Sequence, residues 1–221
     1  MLEHKKRYLQ IAFNYDLCHM QRILPTIPFN DRILIEAGTP FIKREGINGI
    51  RAIARIWKGA IVADIKTLDG AEDEVDFVNG AGATAVTVLG SAPVETLNLF
   101  IARCRELEMD SMIDMLGVDE PLKILLKLRQ PPDVVILHKG RDEETTYGKV
   151  IKYKHINKIK SKYDILISAA GGIDLREARS AIFNGANIVV ANIVSAEDPW
   201  IGISSDADVK TIAEQFLKTI E

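Results

Sequence analysis

Cysteine is scarce in this 221-residue sequence, which contains only Cys18 and Cys104. Two cysteines cannot build the disulfide framework of a small secreted domain, and their separation does not match the spacing of zinc ligands. We therefore expect both side chains to be reduced and to pack as small hydrophobic groups. This cysteine usage predicts a cytoplasmic protein.

The sequence also lacks long hydrophobic runs and a strong excess of one charge. No apolar stretch approaches the roughly 18 residues that a membrane-spanning helix needs. The basic segment from Met1 to Arg7 precedes a short apolar run without a small-residue cleavage site, so we expect no signal peptide. The net charge is only −3. We therefore expect neither a nucleic-acid partner nor a membrane partner.

Short β-branched segments alternate with longer amphipathic segments along the whole chain. We predict eight strands, at residues 8–13, 32–37, 60–65, 83–89, 109–114, 133–138, 164–169 and 186–191. Several of them, such as Ala85–Leu89, are almost entirely apolar, which is typical of parallel strands with helices on both faces. The segments between the strands repeat apolar residues every three or four positions, as helices that pack against a sheet do.

The number of these units predicts the architecture. Eight strand–helix units close into a (β/α)8 barrel, whereas an open doubly wound sheet usually has roughly five or six strands. No Gly-x-Gly-x-x-Gly follows the first strand, which counts against a dinucleotide-binding sheet. We predict an α/β fold in which residues 1–221 form a single parallel eight-stranded TIM barrel. The active site should then lie at the carboxyl ends of the strands.

Charged residues stand at three of these strand ends. Asp64 and Lys66 close the third strand and share one face, about 7 Å apart along the chain. Glu36 closes the second strand and Asp114 the fifth, so several carboxylates should converge where a hard cation such as Mg²⁺ is bound by oxygen ligands. The alternative is a structural ion pair of Asp64 with Lys66, with Asp69 as the N-cap of the next helix.

The last three strands add a histidine and two candidate phosphate-binding loops. His138 ends the sixth strand, where an imidazole can exchange protons near neutral pH, and the polar segment 139–148 after it is a candidate lid. Gly171 and Gly172 follow the seventh strand, and Ala191–Asn192 ends the eighth. Loops after these two strands bind phosphate in many barrels.

Five motifs are found in order at these positions. They are Ile35–Pro40 (IEAGTP), Val62–Asp69 (VADIKTLD), Val86–Gly90 (VTVLG), His138-x-Gly140-x-Asp142 and Ala170–Gly172 (AGG). Together they resemble the 3-hexulose-6-phosphate synthase family, a branch of the orotidine 5′-phosphate decarboxylase suprafamily. The resemblance extends over nearly the whole chain, from residue 8 to residue 195.

The resemblance implies a carbon–carbon lyase that catalyses a reversible aldol addition of formaldehyde to D-ribulose 5-phosphate. It implies a homodimer with active sites at the subunit interface, Mg²⁺ or Mn²⁺ held by Glu36 and Asp64, and Asp69 entering the partner's site. The metal and the ammonium of Lys66 would stabilise an enediolate intermediate. The expected catalytic residues are Lys66, Asp64, Asp69 and His138, and the expected substrate-binding residues are Asn14, Glu36, Asp114, Asp142, Gly171, Gly172, Ala191 and Asn192.

Two departures from the family pattern leave alternatives open. Asn14 stands where the family has aspartate, and Ala191–Asn192 stands where its phosphate motif is Gly-Gly or Gly-Arg. The chain could therefore be a catalytically weak paralogue that binds phosphosugars. A 3-keto-L-gulonate 6-phosphate decarboxylase, which forms a similar enediolate by losing CO₂, is a further alternative. Orotidine decarboxylase itself is disfavoured, because it has lysine where this chain has Glu36.

Overall fold

The computed structural model describes residues 1–144, 146 and 150–221. Eight parallel strands follow one another around a closed barrel, in which each pairs with the next and the last pairs with the first. They are β1 (Tyr8–Phe13), β2 (Ile33–Ala37), β3 (Ile61–Thr67), β4 (Ala85–Leu89), β5 (Asp110–Asp114), β6 (Val134–His138), β7 (Leu166–Ala170) and β8 (Ile188–Val194). The predicted TIM barrel is confirmed.

Helices connect the strands and cover the outside of the barrel. They are α1 (Leu17–Ile23), α2 (Thr39–Ile56), α3 (Ala71–Asn79), α4 (Val94–Glu106), α5 (Pro121–Leu125), α6 (Arg141–Glu144), α7 (Lys154–Lys160), α8 (Leu175–Phe183) and α9 (Val209–Thr219), and a short 3₁₀ helix, Leu24–Thr26, follows α1. Pro93 and Pro121 stand at the starts of α4 and α5, where the missing N–H of proline costs little. None of the described helices is long and apolar enough to cross a membrane.

The alternation of side chains along each strand creates two hydrophobic cores. One face of the sheet packs against the helices, as Leu9, Ile11 and Phe13 of β1 do. The other face fills the barrel interior with a smaller apolar cluster. Its members are Tyr8, Ala12, Leu34, Val62, Ala85, Met112, Val134, Ile136, Leu166, Ala170, Ile188 and Val190. Because side chains alternate with a period of two, the next interior position after this cluster lies at the carboxyl end of each strand.

At that end the interior positions change from apolar to polar. Two residues after Leu34 comes Glu36, and two residues after Val62 comes Asp64. The same step leads from Ala85 to Thr87, from Met112 to Asp114, from Ile136 to His138 and from Val190 to Asn192. The barrel is therefore a packed hydrophobic core with a polar floor above it, on which a ligand can rest.

The eighth strand is longer than the sequence predicts. A short ninth strand, β9 (Ile203–Ser204), pairs with its end, with Ile193 opposite Ile203. Prediction of an end at residue 191 was wrong for this reason, since β9 comes from a distant part of the following loop. Asn192 therefore lies within β8 rather than at its end.

Candidate active site

A cavity of about 400 Å³ opens at the carboxyl ends of the strands. Its wall includes nine of the residues that the sequence predicts for the site. They are Asn14, Glu36, Asp64, Lys66, Asp114, His138, Asp142, Gly171 and Asn192. The structure thus brings together residues that are up to 178 positions apart in the chain, as the pairing of Asn14 with Asn192 illustrates.

Lys66 is the centre of the polar network. Its ammonium nitrogen lies 3.0 Å from both carboxylate oxygens of Asp64 and 2.7 Å from Oδ2 of Asp114. Burial opposes a charge on Lys66, but the two carboxylates outweigh burial and hold its pKa above the usual range. The side chain is therefore an ammonium throughout the physiological range, and it is fixed in place by two ion pairs.

The backbone of β3 is adapted to present this lysine. Lys66 has a φ of +50°, in the left-handed region that residues other than glycine rarely adopt, and the register between β3 and β4 shifts at this point. The backbone N–H of Lys66 donates to the hydroxyl of Thr87 (3.0 Å). That hydroxyl donates to Oδ1 of Asp64 (2.8 Å), and the hydroxyl of Thr39 donates to Oδ2 (2.8 Å). Strained backbone of this kind is concentrated at functional sites.

Asp114 connects the lysine to His138. Nδ1 of His138 lies 2.9 Å from Oδ2 of Asp114, and the backbone N–H of Leu116 donates to Oδ1 (2.9 Å). Burial opposes the charge on Asp114, but His138 and Lys66 outweigh it and keep the aspartate pKa below the usual range. Burial lowers the pKa of His138, whereas Asp114 raises it more, so the net shift is upward. An imidazole held at Nδ1 keeps Nε2 for exchange with a ligand.

Glu36 is an almost buried carboxyl group on the neighbouring strand. The side-chain amide of Gln10 donates to its Oε2 (2.5 Å). Burial, together with the charge of Asp64, raises the pKa of Glu36 to about 7. Two carboxyl groups that repel each other in this way gain from a cation placed between them.

Glu36 and Asp64 fit a hard divalent cation by their chemistry. The structure contains no group of three or more His, Cys, Asp or Glu suited to a metal among its described residues. Mg²⁺ does not require one, because it is usually bound by one or two carboxylates together with water and substrate oxygens. Asp64 already accepts hydrogen bonds at both oxygens, so its position is fixed before any ligand arrives.

The loop after β7 has a conformation that requires glycine. Gly171 has a φ of +104°, and a β-carbon there would overlap with the carbonyl oxygen of Lys139. Gly172 has a φ of +66° and lies next to the cavity wall. Such a loop presents backbone N–H groups to an anion without obstruction by side chains.

Three predicted residues lie away from the cavity wall or change their meaning. Ala191 is fully buried in the core between sheet and helices, with its side chain outside the barrel interior. Asp69 is exposed in the loop between β3 and α3. The N-cap of α3 is Gly70, so the alternative of Asp69 as N-cap is wrong. Asp16, by contrast, caps α1 by accepting from the backbone N–H of His19 (2.8 Å).

The departure at Asn14 creates a neutral contact. Its side-chain amide donates to Oδ1 of Asn192 (2.9 Å), which joins the ends of β1 and β8 across the cavity wall. Within the candidate lid, Arg141 of α6 lies over the ring of Trp200, 4.1 Å from the centroid. Residues 145, 147 and 148 of the lid fall outside the described residues.

Sequence reasoning missed several residues of the cavity wall, among them Gln10, Thr39, Thr87 and Arg141. Gln10 and Thr87 lie on the interior face of their strands, two positions from Ala12 and Ala85. This parity was the available signal. Thr39 and Arg141 belong to helices, and the strand pattern carries no information about them.

The fold and this polar cavity define an enzyme domain of the (β/α)8-barrel class. A family model described as the orotidine 5′-phosphate decarboxylase / HUMPS family matches residues 8–200. The chain belongs to this family. The prediction of an enzyme with carbon–carbon lyase chemistry is thereby confirmed at the level of the family.

Curated relatives and solved structures agree with this assignment. The chain is 37% identical over 216 residues to the bifunctional enzyme Fae/Hps of Methanothrix thermoacetophila, covering 97% of this chain and 53% of that protein. It thus spans about half the length of the curated relatives it matches. The structure of 3-hexulose-6-phosphate synthase from Salmonella typhimurium matches with 27% identity and a TM-score of 0.79, covering 96% of this chain and 98% of that one. The resemblance recognised in the sequence is confirmed.

A more distant structure shares the fold. KGPDC from Streptococcus mutans, solved in complex with a phosphosugar, is 18% identical and covers 97% of each chain, with a TM-score of 0.74. The (β/α)8 architecture is thus common to both branches that the sequence brought into consideration.

Proposed function

We propose that this chain catalyses the reversible aldol addition of formaldehyde to D-ribulose 5-phosphate, which forms a 3-hexulose 6-phosphate. The observation that carries the proposal is the fixed ammonium of Lys66 between Asp64 and Asp114 on the cavity floor. Such a charge is arranged to stabilise negative charge that develops on a substrate oxygen. The similarity to 3-hexulose-6-phosphate synthase and to the Fae/Hps enzymes supports this choice of substrates.

The reaction needs a proton to leave the carbon beside the substrate carbonyl. In our proposal neutral His138 takes this proton at Nε2, while Asp114 holds the ring through Nδ1. The ammonium of Lys66 remains charged and stabilises the enediolate oxygens rather than acting as the base. The resulting enediolate carbon then attacks formaldehyde to form the new carbon–carbon bond.

A divalent cation belongs to the same proposal. Glu36 and Asp64 would hold Mg²⁺, or Mn²⁺, and when bound the metal supplies positive charge beside the reacting oxygens. The raised pKa of Glu36 supports this placement, because burial and Asp64 together disfavour a second bare carboxylate. Asn14, Asp142, Asn192 and the Gly171–Gly172 loop are proposed to bind the sugar phosphate, since all of them except Gly172 line the cavity.

A coupled assay with formaldehyde and D-ribulose 5-phosphate tests the proposal. We expect product formation that depends on added Mg²⁺ or Mn²⁺. Absence of metal-dependent product at high enzyme concentration would reject it. Release of CO₂ from a 3-keto sugar-acid 6-phosphate would instead assign the chain to the decarboxylase branch.

The second candidate, a weakly active phosphosugar-binding paralogue, is favoured by the Asn14–Asn192 contact, which replaces a family carboxylate with a neutral amide. Calorimetry that detects ribulose 5-phosphate binding without turnover is its signature. The Asn14→Asp variant separates the two candidates. A large gain in turnover in this variant identifies a family member whose activity has decayed, whereas unchanged turnover shows that the amide is part of the working site.

A further inference from the structure

Three loops at the mouth of the barrel meet around Gly172. The loop after β6 supplies Lys139 and Glu144, the loop after β7 supplies Gly172, and the loop between β8 and β9 supplies Ile201. A β-carbon on Gly172 would lie 3.1 Å from Nζ of Lys139 and 3.3 Å from Oε2 of Glu144. An ammonium and a carboxylate therefore share the space that the missing side chain of Gly172 leaves.

The carboxylate of Glu144 has the surroundings of a bound anion. Burial raises its pKa above the usual value, against the backbone N–H groups of Ile201 and Gly172 and the charges of Lys139 and Arg141, which favour the charged form. Its Oε2 is nevertheless buried without a hydrogen-bond partner in the described part of the chain. A buried carboxylate oxygen left in this way is costly, so Glu144 satisfies this position incompletely.

A phosphate group suits the same position better than a carboxylate does. A phosphate monoester carries more negative charge at neutral pH and has three acceptor oxygens. Backbone N–H groups of a glycine-rich loop form a concave site for such an anion. Glu144 also lines the cavity that contains Lys66, so a ligand in the cavity reaches the donors that Glu144 now faces.

We propose that Glu144 is an internal occupant of an anion subsite formed by Gly172, Ile201 and Lys139, and that a phosphate monoester binds there by displacing it. The identity of the ligand as a sugar phosphate rests on the proposed function. The inference adds two residues that the family motifs do not supply. Lys139 provides the positive charge of the subsite, and Glu144 competes with the ligand for it.

Calorimetric titration with inorganic phosphate, in the absence of sugar and metal, tests this inference without requiring turnover. We expect Glu144→Gln to bind phosphate about tenfold more tightly than the unchanged protein, because the subsite is no longer held by a competing charge. Lys139→Gln should weaken binding, because it removes the cation. Glu214→Gln is the matched control: it removes an exposed carboxylate on α9 and should bind phosphate as the unchanged protein does.

The inference is overturned if Glu144→Gln and Glu144→Ala, both shown to be folded by circular dichroism, bind phosphate no more tightly than the unchanged protein. An equal gain in Glu214→Gln would also overturn it, since net charge alone would then account for the effect. These outcomes are separate from the aldol assay. Tighter phosphate binding without turnover supports the subsite and rejects the proposed function, and turnover without tighter binding does the reverse.

Discussion

Lys66 carries the largest share of the proposed chemistry at the scale of single residues. Its contacts to Asp64 and Asp114 use two ion pairs, yet the cavity leaves the ammonium about one-fifth exposed. A lysine used only to hold the fold together would be expected to lie away from a cavity. The backbone strain at this residue, with its φ of +50°, is a cost that a structural ion pair would not require.

We therefore expect Lys66→Ala to lower kcat/KM by roughly 10²–10³-fold or more, as removal of a preorganised electrostatic group does. The fold should persist, because the hydrophobic cores of the barrel are built from other residues. Circular dichroism checks the fold and the coupled assay checks activity. Lys210→Ala, at an exposed position of α9, is the control. Near-normal turnover in Lys66→Ala would show that the chemistry was assigned to the wrong group.

The pair of Asp114 and His138 predicts a specific pH dependence. Burial lowers the pKa of His138, but Asp114 raises it more. Because neutral His138 is the proposed base, kcat/KM should rise with pH through this raised pKa. Asp114→Asn removes the raising charge, so the acidic limb should move to lower pH, by about one unit.

A pH–rate profile of Asp114→Asn measures this shift, provided that residual activity is followed at high enzyme concentration. Asp110→Asn is a matched control, because Asp110 is a buried aspartate at the opposite end of the same strand. An acidic limb that stays in place in Asp114→Asn, or that moves equally in Asp110→Asn, would contradict the role given to His138.

At the scale of secondary-structure elements, the period of two along each strand made most of the site predictable. Once β3 is recognised, Asp64 and Lys66 must share the interior face, and the same argument places Glu36, Asp114 and His138. Contacts between distant segments were not predictable in this way. The pairing of β9 with β8 lengthened β8, and the threonines that fix Asp64 have no distinctive sequence pattern.

The loop after β7 gives a prediction about glycine. Gly171→Ala must accept both a positive φ and a β-carbon that overlaps with the carbonyl oxygen of Lys139. Gly70→Ala meets the positive φ alone, since nothing lies within 4 Å of its β-carbon, and should cost about 1–2 kcal/mol of unfolding free energy. We expect a clearly larger loss for Gly171→Ala in urea denaturation. Equal losses would show that the loop moves freely and has no fixed shape for an anion.

At the scale of the whole molecule, the exposed position of Asp69 agrees with a role outside its own barrel. The loop between β3 and α3 leaves this carboxylate outside the cavity wall of its own chain. We propose that the chain forms a homodimer in which Asp69 completes the partner's site. This arrangement would explain why a residue in the most specific motif of the sequence does not reach the nearby lysine.

Mixing two inactive variants tests this shared site. Lys66→Ala and Asp69→Ala should each lack activity, whereas subunits exchanged in equal amounts should recover about a quarter of normal activity, because one site in each mixed dimer is intact. Sedimentation velocity should show the dimer. A monomer in solution, or no recovery after confirmed exchange of subunits, would contradict the shared site.

Exchange of solvent deuterium into ribulose 5-phosphate tests the central claim most directly, because it reports enediolate formation without formaldehyde. Proton NMR in D₂O should show loss of the signal from hydrogen on the hydroxymethyl carbon beside the carbonyl. We expect this exchange with the unchanged protein and added Mg²⁺, and none above background with Lys66→Ala. Failure of the unchanged protein to exchange this hydrogen, while it binds the sugar phosphate, would contradict the account.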